Sequence, residues 1–339
     1  MVSIGNLAKR LAIAGVAIPF VVFCFVYPVL MNVVTVTLTF FGTREFLLMR
    51  VVMINRLKGK KDNEDHPYKL RHLQENTSTG VTKTKQDPTN DQFDIPPLFK
   101  NKSDMVQIYI RSAVAVILPL VGFFSTHTSS LSFAALFVLL FIMLGTMSGY
   151  LHSCCGPKNN NQLCLEDFVS VCLDVLGIYY VGLSFAFGIT TLRVAPYVLM
   201  CLLFSNWASD AFALFAGKNF GKSKMTPVLS PNKTVEGGIG ALVGATLLAC
   251  VMKFAVHMFP TVLTHESHSI PSLFVFACNG LLLGVLGIVG DLVESYMKRV
   301  ANVKDSGEFF GAHGGVLDRV DGLLFSFPVM YFMYSFGLF

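Results

Sequence analysis

The chain is short of charge. Only 14% of its 339 residues are Asp, Glu, Lys or Arg, against about 25% in an ordinary soluble domain. Hydrophobic residues make up 53%, Phe alone contributes 31, and mean hydropathy is +0.60. That is more apolar mass than one water-facing core can bury. It excludes a soluble globular enzyme and a disordered chain. A paired-cysteine framework is also missing. Five of the eight Cys stand singly (Cys24, Cys172, Cys201, Cys250, Cys278) and three are loosely grouped (Cys154, Cys155, Cys164). Most lie inside apolar runs, where a thiol behaves as a small hydrophobe, so a secreted disulfide scaffold is excluded. The net charge of +5 is too modest to imply nucleic acid. There is no repeat of 20–50 residues. No small-residue cleavage site follows the first apolar run, which is read as retained rather than as a removable signal.

What is present is a series of apolar stretches about 20 residues long, the length that crosses a bilayer. Nine are legible, near 11–30, 32–54, 106–125, 131–149, 168–190, 194–216, 237–259, 272–296 and 320–339. Lipid offers no partner to bare backbone groups, so each must be helical. The fold expected is an all-α, polytopic integral membrane protein. Lys and Arg set its orientation. Lys9 and Arg10, ten Lys/Arg from Arg56 to Lys102, Lys158, the cluster Lys218 to Lys233, and Lys298 to Arg319 all fall on one side. The opposite loops hold only Arg193, and segments 126–130 and 260–271 hold none. By the positive-inside rule the N-terminus is cytosolic and the C-terminus is on the far side.

Four regions follow: a two-span segment 1–54, a polar insert 55–105, middle helices 106–190, and 191–339, where the chemistry-bearing residues gather. The insert is rich in Lys, Asp, Asn and Thr and reads as a mobile solvated loop; the alternative is a basic patch for anionic lipid at Lys58, Lys60 and Lys61. Sequons at Asn76, Asn101 and Asn232 all fall on the cytosolic side and are expected to stay unglycosylated. His152, Cys154, Cys155 and Cys164 fit ordinary interfacial thiols, an acylation site or a metal site.

A charge within a membrane helix costs at least about 2.5–3.5 kcal/mol at mid-bilayer, so it marks a pathway, a site or a buried partner. The candidates are Glu45, Asp174, Asp210, Lys253, Asp291 and Glu294. Glu45 and Asp174 also fit a structural role, pairing with polar groups of neighbouring helices. Lys253 fits a snorkelling side chain. Two loops adjoin these acids. Residues 217–238, GKNFGKSKMTPVLSPNKTVEGG, combine Lys, Gly and hydroxyls. They suit either a polyphosphate cradle or an ordinary charged connector. The spacing of a Walker-type phosphate loop is absent, and Thr234-Val235-Glu236 reads as a capped helix start. The second loop, 290–322, interleaves Asp291, Asp305, Asp318 and Asp321 with Lys298, Arg299, Lys304, Arg319 and His313. Carboxylates this close repel unless a cation joins them. Hard oxygen ligands favour Mg²⁺, often with substrate phosphates completing its shell.

The segment 295–321, SYMKRVANVKDSGEFFGAHGGVLDRVD, resembles the signature of the CDP-diacylglycerol synthases (phosphatidate cytidylyltransferases), S-x-φ-K-R-x4-K-D-x-small-x2-φ-x2-H-G-G-φ-x-D-R-φ-D with φ apolar, at every fixed position. Residues 206–222, NWASDAFALFAGKNFGK, and 230–238, SPNKTVEGG, resemble two further blocks of that family. The departures are Asn232 in place of a usual Lys and Gly311-Ala312 in place of Pro-Gly.

The resemblance implies the reaction CTP + phosphatidate → CDP-diacylglycerol + pyrophosphate at the cytosolic face. The membrane would be the endoplasmic reticulum or a bacterial inner membrane. It implies Mg²⁺ on Asp291 and Asp318 with Asp321, room for a second cation, and Asp305 as a further acidic member. Lys298, Arg299, Lys304 and Arg319 would neutralise the phosphates. Ser230, Lys233, Thr234, Glu236, Asp210 and Lys222 would line the substrate site. His313 would hydrogen-bond a phosphate or serve as a buried turn residue. Phosphatidate is already largely ionised, its second pKa being near about 6, so no general base is needed. A homo-oligomer stays open. The rival readings are an ion-coupled transporter using the membrane acids, a CDP-alcohol phosphotransferase suggested by Asp318-Arg319-Val320-Asp321-Gly322, and a non-catalytic scaffold.

Overall fold

A computed structural model describes residues 27–58, 102–124, 165–258, 270–311 and 314–339, with isolated helical positions at 23, 135 and 138. The stretch 131–149, most of 11–30, the bulk of the insert, the group His152 to Cys164 and His313 lie outside the described residues. The described part is a helical bundle. Its helices are α1 (Pro28–Lys58), α2 (Lys102–Ala115), α3 (Ile117–Phe124), α4 (Leu165–Ile178), α5 (Ser184–Val194), α6 (Pro196–Phe220), α7 (Val235–Met258), α8 (Leu273–Ala301) and α9 (Leu317–Ser335). A π-helical turn, Tyr179–Leu183, joins α4 to α5. Five segments are long and apolar enough to cross a membrane: Met105–Phe124, Phe168–Val194, Pro196–Phe220, Val235–Met258 and Leu273–Ala301. All five fall on stretches legible in the sequence, and α1 and α9 coincide with two more.

Local chemistry sets the ends of the elements. Pro196 opens α6, where its missing N–H is no loss, and forces Ala195 out of helical geometry at φ −151°. Ser272 caps α8 by accepting from Val275 N–H, and Asn302 closes it in the left-handed region at φ 57°. One departure from an all-helical reading lies in the Gly- and Lys-rich loop. There β1 (Lys224–Thr226) pairs antiparallel with β2 (Ser230–Thr234), in register Lys224 with Thr234. Thr234 then caps α7, its hydroxyl accepting from Gly237 N–H at 3.1 Å.

Within lipid, helices associate by close packing rather than by a hydrophobic difference, so small residues collect at contacts. A side chain at Gly244 of α7 would stand 2.6 Å from Phe212 and 2.8 Å from the carbonyl of Ala208, both on α6. An adjoining face of α7 carries Ile239, Val243, Leu247, Val251, Phe254 and Met258 at helical spacing, each 49–72% exposed, a stripe suited to acyl chains. Inside the bundle, Leu47, Val181, Leu199, Leu202, Phe276, Leu283, Leu317 and Met330 are fully buried.

Two of the membrane acids are consumed by this packing. Asp174 on α4 pairs with Arg50 of α1 at 3.2 Å and with Arg111 of α2. Glu45 on α1 is buried and crosses to the start of α9. There it accepts the backbone N–H groups of Val316 (2.9 Å) and Leu317 (3.0 Å) and the Ser306 hydroxyl (3.0 Å). A carboxylate at a helix N-terminus satisfies orphan donors and meets the positive end of the helix dipole. Of the two roles open for Glu45 and Asp174, both take the structural one. Lys253 points its ammonium at the Ile270 carbonyl, 3.4 Å away near the end of the span.

Candidate functional site

The site is built where α8 meets α9. Along α8, Asp291, Glu294, Ser295 and Lys298 follow one another at helical spacing and share one face. Gly290 lets α9 come close: a side chain there would stand 2.9 Å from the backbone of Asp321 and Gly322. Carboxylate oxygens of Asp291, Glu294 and Asp321 consequently all lie within 4.8 Å of one another. Asp321 also accepts the N–H of Gly322 at 2.8 Å. Asp291 is the open member, its side chain 41% exposed, whereas the Glu294 side chain is 2% exposed.

Cations frame the trio. Lys298 reaches both Glu294 (2.5 Å) and Asp318 (2.6 Å). Lys233, presented by β2, pairs with Asp291. Asp210 on α6 lies within electrostatic reach of Asp291, Lys233 and Arg319. Two membrane helices, one helix start and a hairpin thus converge on one acidic centre.

Asp318 stands outside the trio that the sequence placed it in. One oxygen holds Lys298. The other accepts Ser306 N–H (2.9 Å) and Gly315 N–H (2.8 Å), and lies 3.0 Å from the Ser306 hydroxyl, whose single hydrogen it shares with Glu45. Burial pushes this carboxyl up, but the hydrogen bond and charge of Lys298 and the Gly315 N–H outweigh it and hold Asp318 down to about 2. Its place among the acids is taken by Glu294, which the sequence marked as a membrane acid without giving it a role. The available signal was its spacing, three residues after Asp291 and four before Lys298.

The other expected residues sort as follows. Arg299 is tied to backbone, donating to the Leu229 carbonyl at 3.2 Å and the Val303 carbonyl at 3.4 Å, which fastens the hairpin to the end of α8. Glu236 accepts the N–H of Ser223 at 3.2 Å, bracing the same hairpin. Thr234 acts as a cap and Ser230 is a hairpin residue. Lys222, Lys304, Asp305 and Arg319 are exposed around the rim. Asp305 also lines a cavity of about 320 Å³ between α1 and residues 303–309, together with Arg44, Leu48, Val52 and Phe309.

The donor set suits a hard divalent cation. Three carboxylates each offer an oxygen at mutual distances a small ion can bridge. Both Glu294 oxygens are buried and accept no hydrogen bond among the described residues, Lys298 being their ion-pair partner. Like charges so close are stable only with cations between them.

Helices with lipid-suited faces, carrying a carboxylate trio framed by lysines where two of them meet, define a polytopic membrane protein with an acidic centre that a divalent cation would fit. The chain belongs to the Cytidylyltransferase family, whose pattern matches residues 97–336. It is 37% identical over 169 residues to a phosphatidate cytidylyltransferase of Bacillus subtilis (strain 168), covering 49% of this chain and 59% of that protein. It is 33% identical over 165 residues to one of Aquifex aeolicus (strain VF5), covering 47% and 56%. A third, of Staphylococcus haemolyticus (strain JCSC1435), is 32% identical over 163 residues, covering 48% and 58%. The chain thus spans little more than half the length of these relatives.

Proposed function

We propose that the protein transfers the cytidylyl group of CTP to phosphatidate. An oxygen of the lipid phosphate bonds to the α-phosphorus. The bond from that phosphorus to its bridging oxygen breaks, and pyrophosphate leaves in line with the electron pair. The observation that carries this reading is the trio Asp291, Glu294 and Asp321 with Lys233 and Lys298 around it, inside the region that carries the family pattern.

Phosphoryl-type transfer needs positioning and charge neutralisation more than covalent help. Lys222, Lys304 and Arg319 are exposed and, with the buried ammonium of Lys233, would meet the triphosphate and the lipid phosphate. Asp291, Glu294 and Asp321 would hold Mg²⁺, with Asp210 close enough to take part in a second cation site. When bound, the cation would offset the charge that gathers on the phosphate oxygens. Lys298 and Asp318 fix the trio from behind, and Glu45 and Ser306 fix Asp318. His313 would hydrogen-bond a phosphate, and Asp305 would be a further acidic member beside the cation. The orientation read from Lys and Arg puts the site on the cytosolic face, where CTP and the lipid headgroup meet.

Purified protein given CTP, Mg²⁺ and phosphatidate should release CDP-diacylglycerol and pyrophosphate in equal amounts. Replacing CTP by ATP, or phosphatidate by diacylglycerol, should give neither. Pyrophosphate release that does not depend on phosphatidate would contradict the reading.

A further inference from the structure

A buried group beside the trio has no role so far. Tyr180 stands in the π-helical turn Tyr179–Leu183, in the middle of the apolar segment Phe168–Val194. Such turns insert one residue into a helix, re-aim the side chains that follow, and cluster at functional sites. The ring of Tyr180 packs edge-on against Phe325 of α9, centroids 5.6 Å apart. Phe325 lies one helical turn beyond Asp321, so Tyr180 sits against the same face of α9 that carries that acid. Its hydroxyl is buried and meets no hydrogen-bond partner among the described residues. The acids whose charge it feels are Asp321 and Glu294.

A phenol sealed from water with an unused donor is costly to keep. Two explanations compete. A purely packing role would be served equally by Phe and would not need the hydroxyl at the acidic centre. A ligand role needs the donor where a ligand oxygen arrives. Geometry favours the second and narrows the ligand. Lys233 of the hairpin and Arg319 of α9 lie within electrostatic reach of Asp210 beside the trio, a cationic side on which a soluble nucleotide would enter. Tyr180 approaches from the apolar interior of the bundle.

We infer that Tyr180 donates its phenolic hydrogen bond to an oxygen of the lipid phosphate when that group lies over Asp291, Glu294 and Asp321. This rests on the proposed reaction for the identity of the lipid. Tyr180 is then a substrate-contacting residue that serves the phosphate acceptor and not the nucleotide.

The test is Tyr180→Phe, which keeps the ring on Phe325 and removes only the hydroxyl. Two readouts are taken on the purified full chain. In the first, kcat/KM for phosphatidate should fall roughly tenfold or more, while KM for CTP stays within twofold. In the second, equilibrium binding of a short-chain phosphatidate without CTP should weaken by a similar factor, with a short-chain diacylglycerol unaffected. Thermal melting should match the wild type in both. Unchanged phosphatidate binding, or an equal loss for CTP and phosphatidate, would overturn the inference. If the wild type makes no CDP-diacylglycerol at all, the proposed reaction fails, and the binding measurement still decides the role of Tyr180. A variant that melts early is replaced by Tyr180→Trp, which keeps an aromatic ring with a displaced donor. Its phosphatidate binding should fall as for Tyr180→Phe, and wild-type binding would overturn the inference.

Discussion

Two groups of charge lie within the helices of this protein, and they differ in what satisfies them. Around Asp174, one carboxylate meets two guanidinium groups, from Arg50 and Arg111, and Arg50 also donates to Ser170 at 2.6 Å. That cluster is closed by side chains from three helices. Around Asp291, Glu294 and Asp321, three carboxylates meet two ammonium groups, from Lys233 and Lys298. That cluster is left acidic by the protein itself. A charge in an apolar helix therefore does not identify a site. The balance of partners does: around Asp174 cations outnumber the carboxylate and the charge holds helices together, whereas around the trio carboxylates outnumber the cations and invite one more.

The comparison is broken or sharpened by substitution. Asp174→Leu leaves two buried guanidinium groups facing each other. It should cost about 3–5 kcal/mol of stability, read as earlier unfolding in detergent, while turnover per folded molecule is kept. Asp291→Asn should do the reverse, with turnover falling about 10²- to 10³-fold and the melting temperature unchanged or raised, since one like charge is gone. If Asp174→Leu lost turnover and Asp291→Asn lost stability, the division between the two clusters would be wrong. Glu45→Gln tests the bridge between them. Val316 and Leu317 donate to different oxygens of Glu45, so Gln keeps an acceptor for only one of them and weakens the hold on α9, at about 1–3 kcal/mol, with a smaller fall in turnover through displaced Asp318. The smallest effect belongs to Thr234→Ala, which removes the α7 cap at about 1 kcal/mol, measured by the same melting assay.

Much of the architecture was legible in residue order. Apolar stretches of spanning length fixed five membrane-length helices, because lipid leaves the backbone no alternative to helix. The Thr234 cap and the gathering of acids after Gly290 were legible because both depend on neighbours in sequence. What was not legible depends on contacts across the fold. Glu45 and Leu317 are 272 positions apart, and nothing local says that one caps the helix of the other. Glu294 joins the three-acid group and Asp318 does not, because Ser306 and Gly315 fill one Asp318 oxygen and Lys298 holds the other, a loop geometry that spacing does not encode. The β1–β2 hairpin was hidden in a segment whose Gly and Lys content reads as a loop. Tyr180 gave no signal at all, since a tyrosine in an apolar run looks like packing until a π-helical turn aims it.

The central claim is that Asp291, Glu294 and Asp321, and not Asp318, form the cation centre. A titration of the purified protein with Mn²⁺, followed by electron paramagnetic resonance, tests it most directly. Glu294→Gln should weaken binding by tenfold or more, and Asp318→Asn by less than threefold. Loss of the ion in Asp318→Asn with wild-type binding in Glu294→Gln would contradict the account.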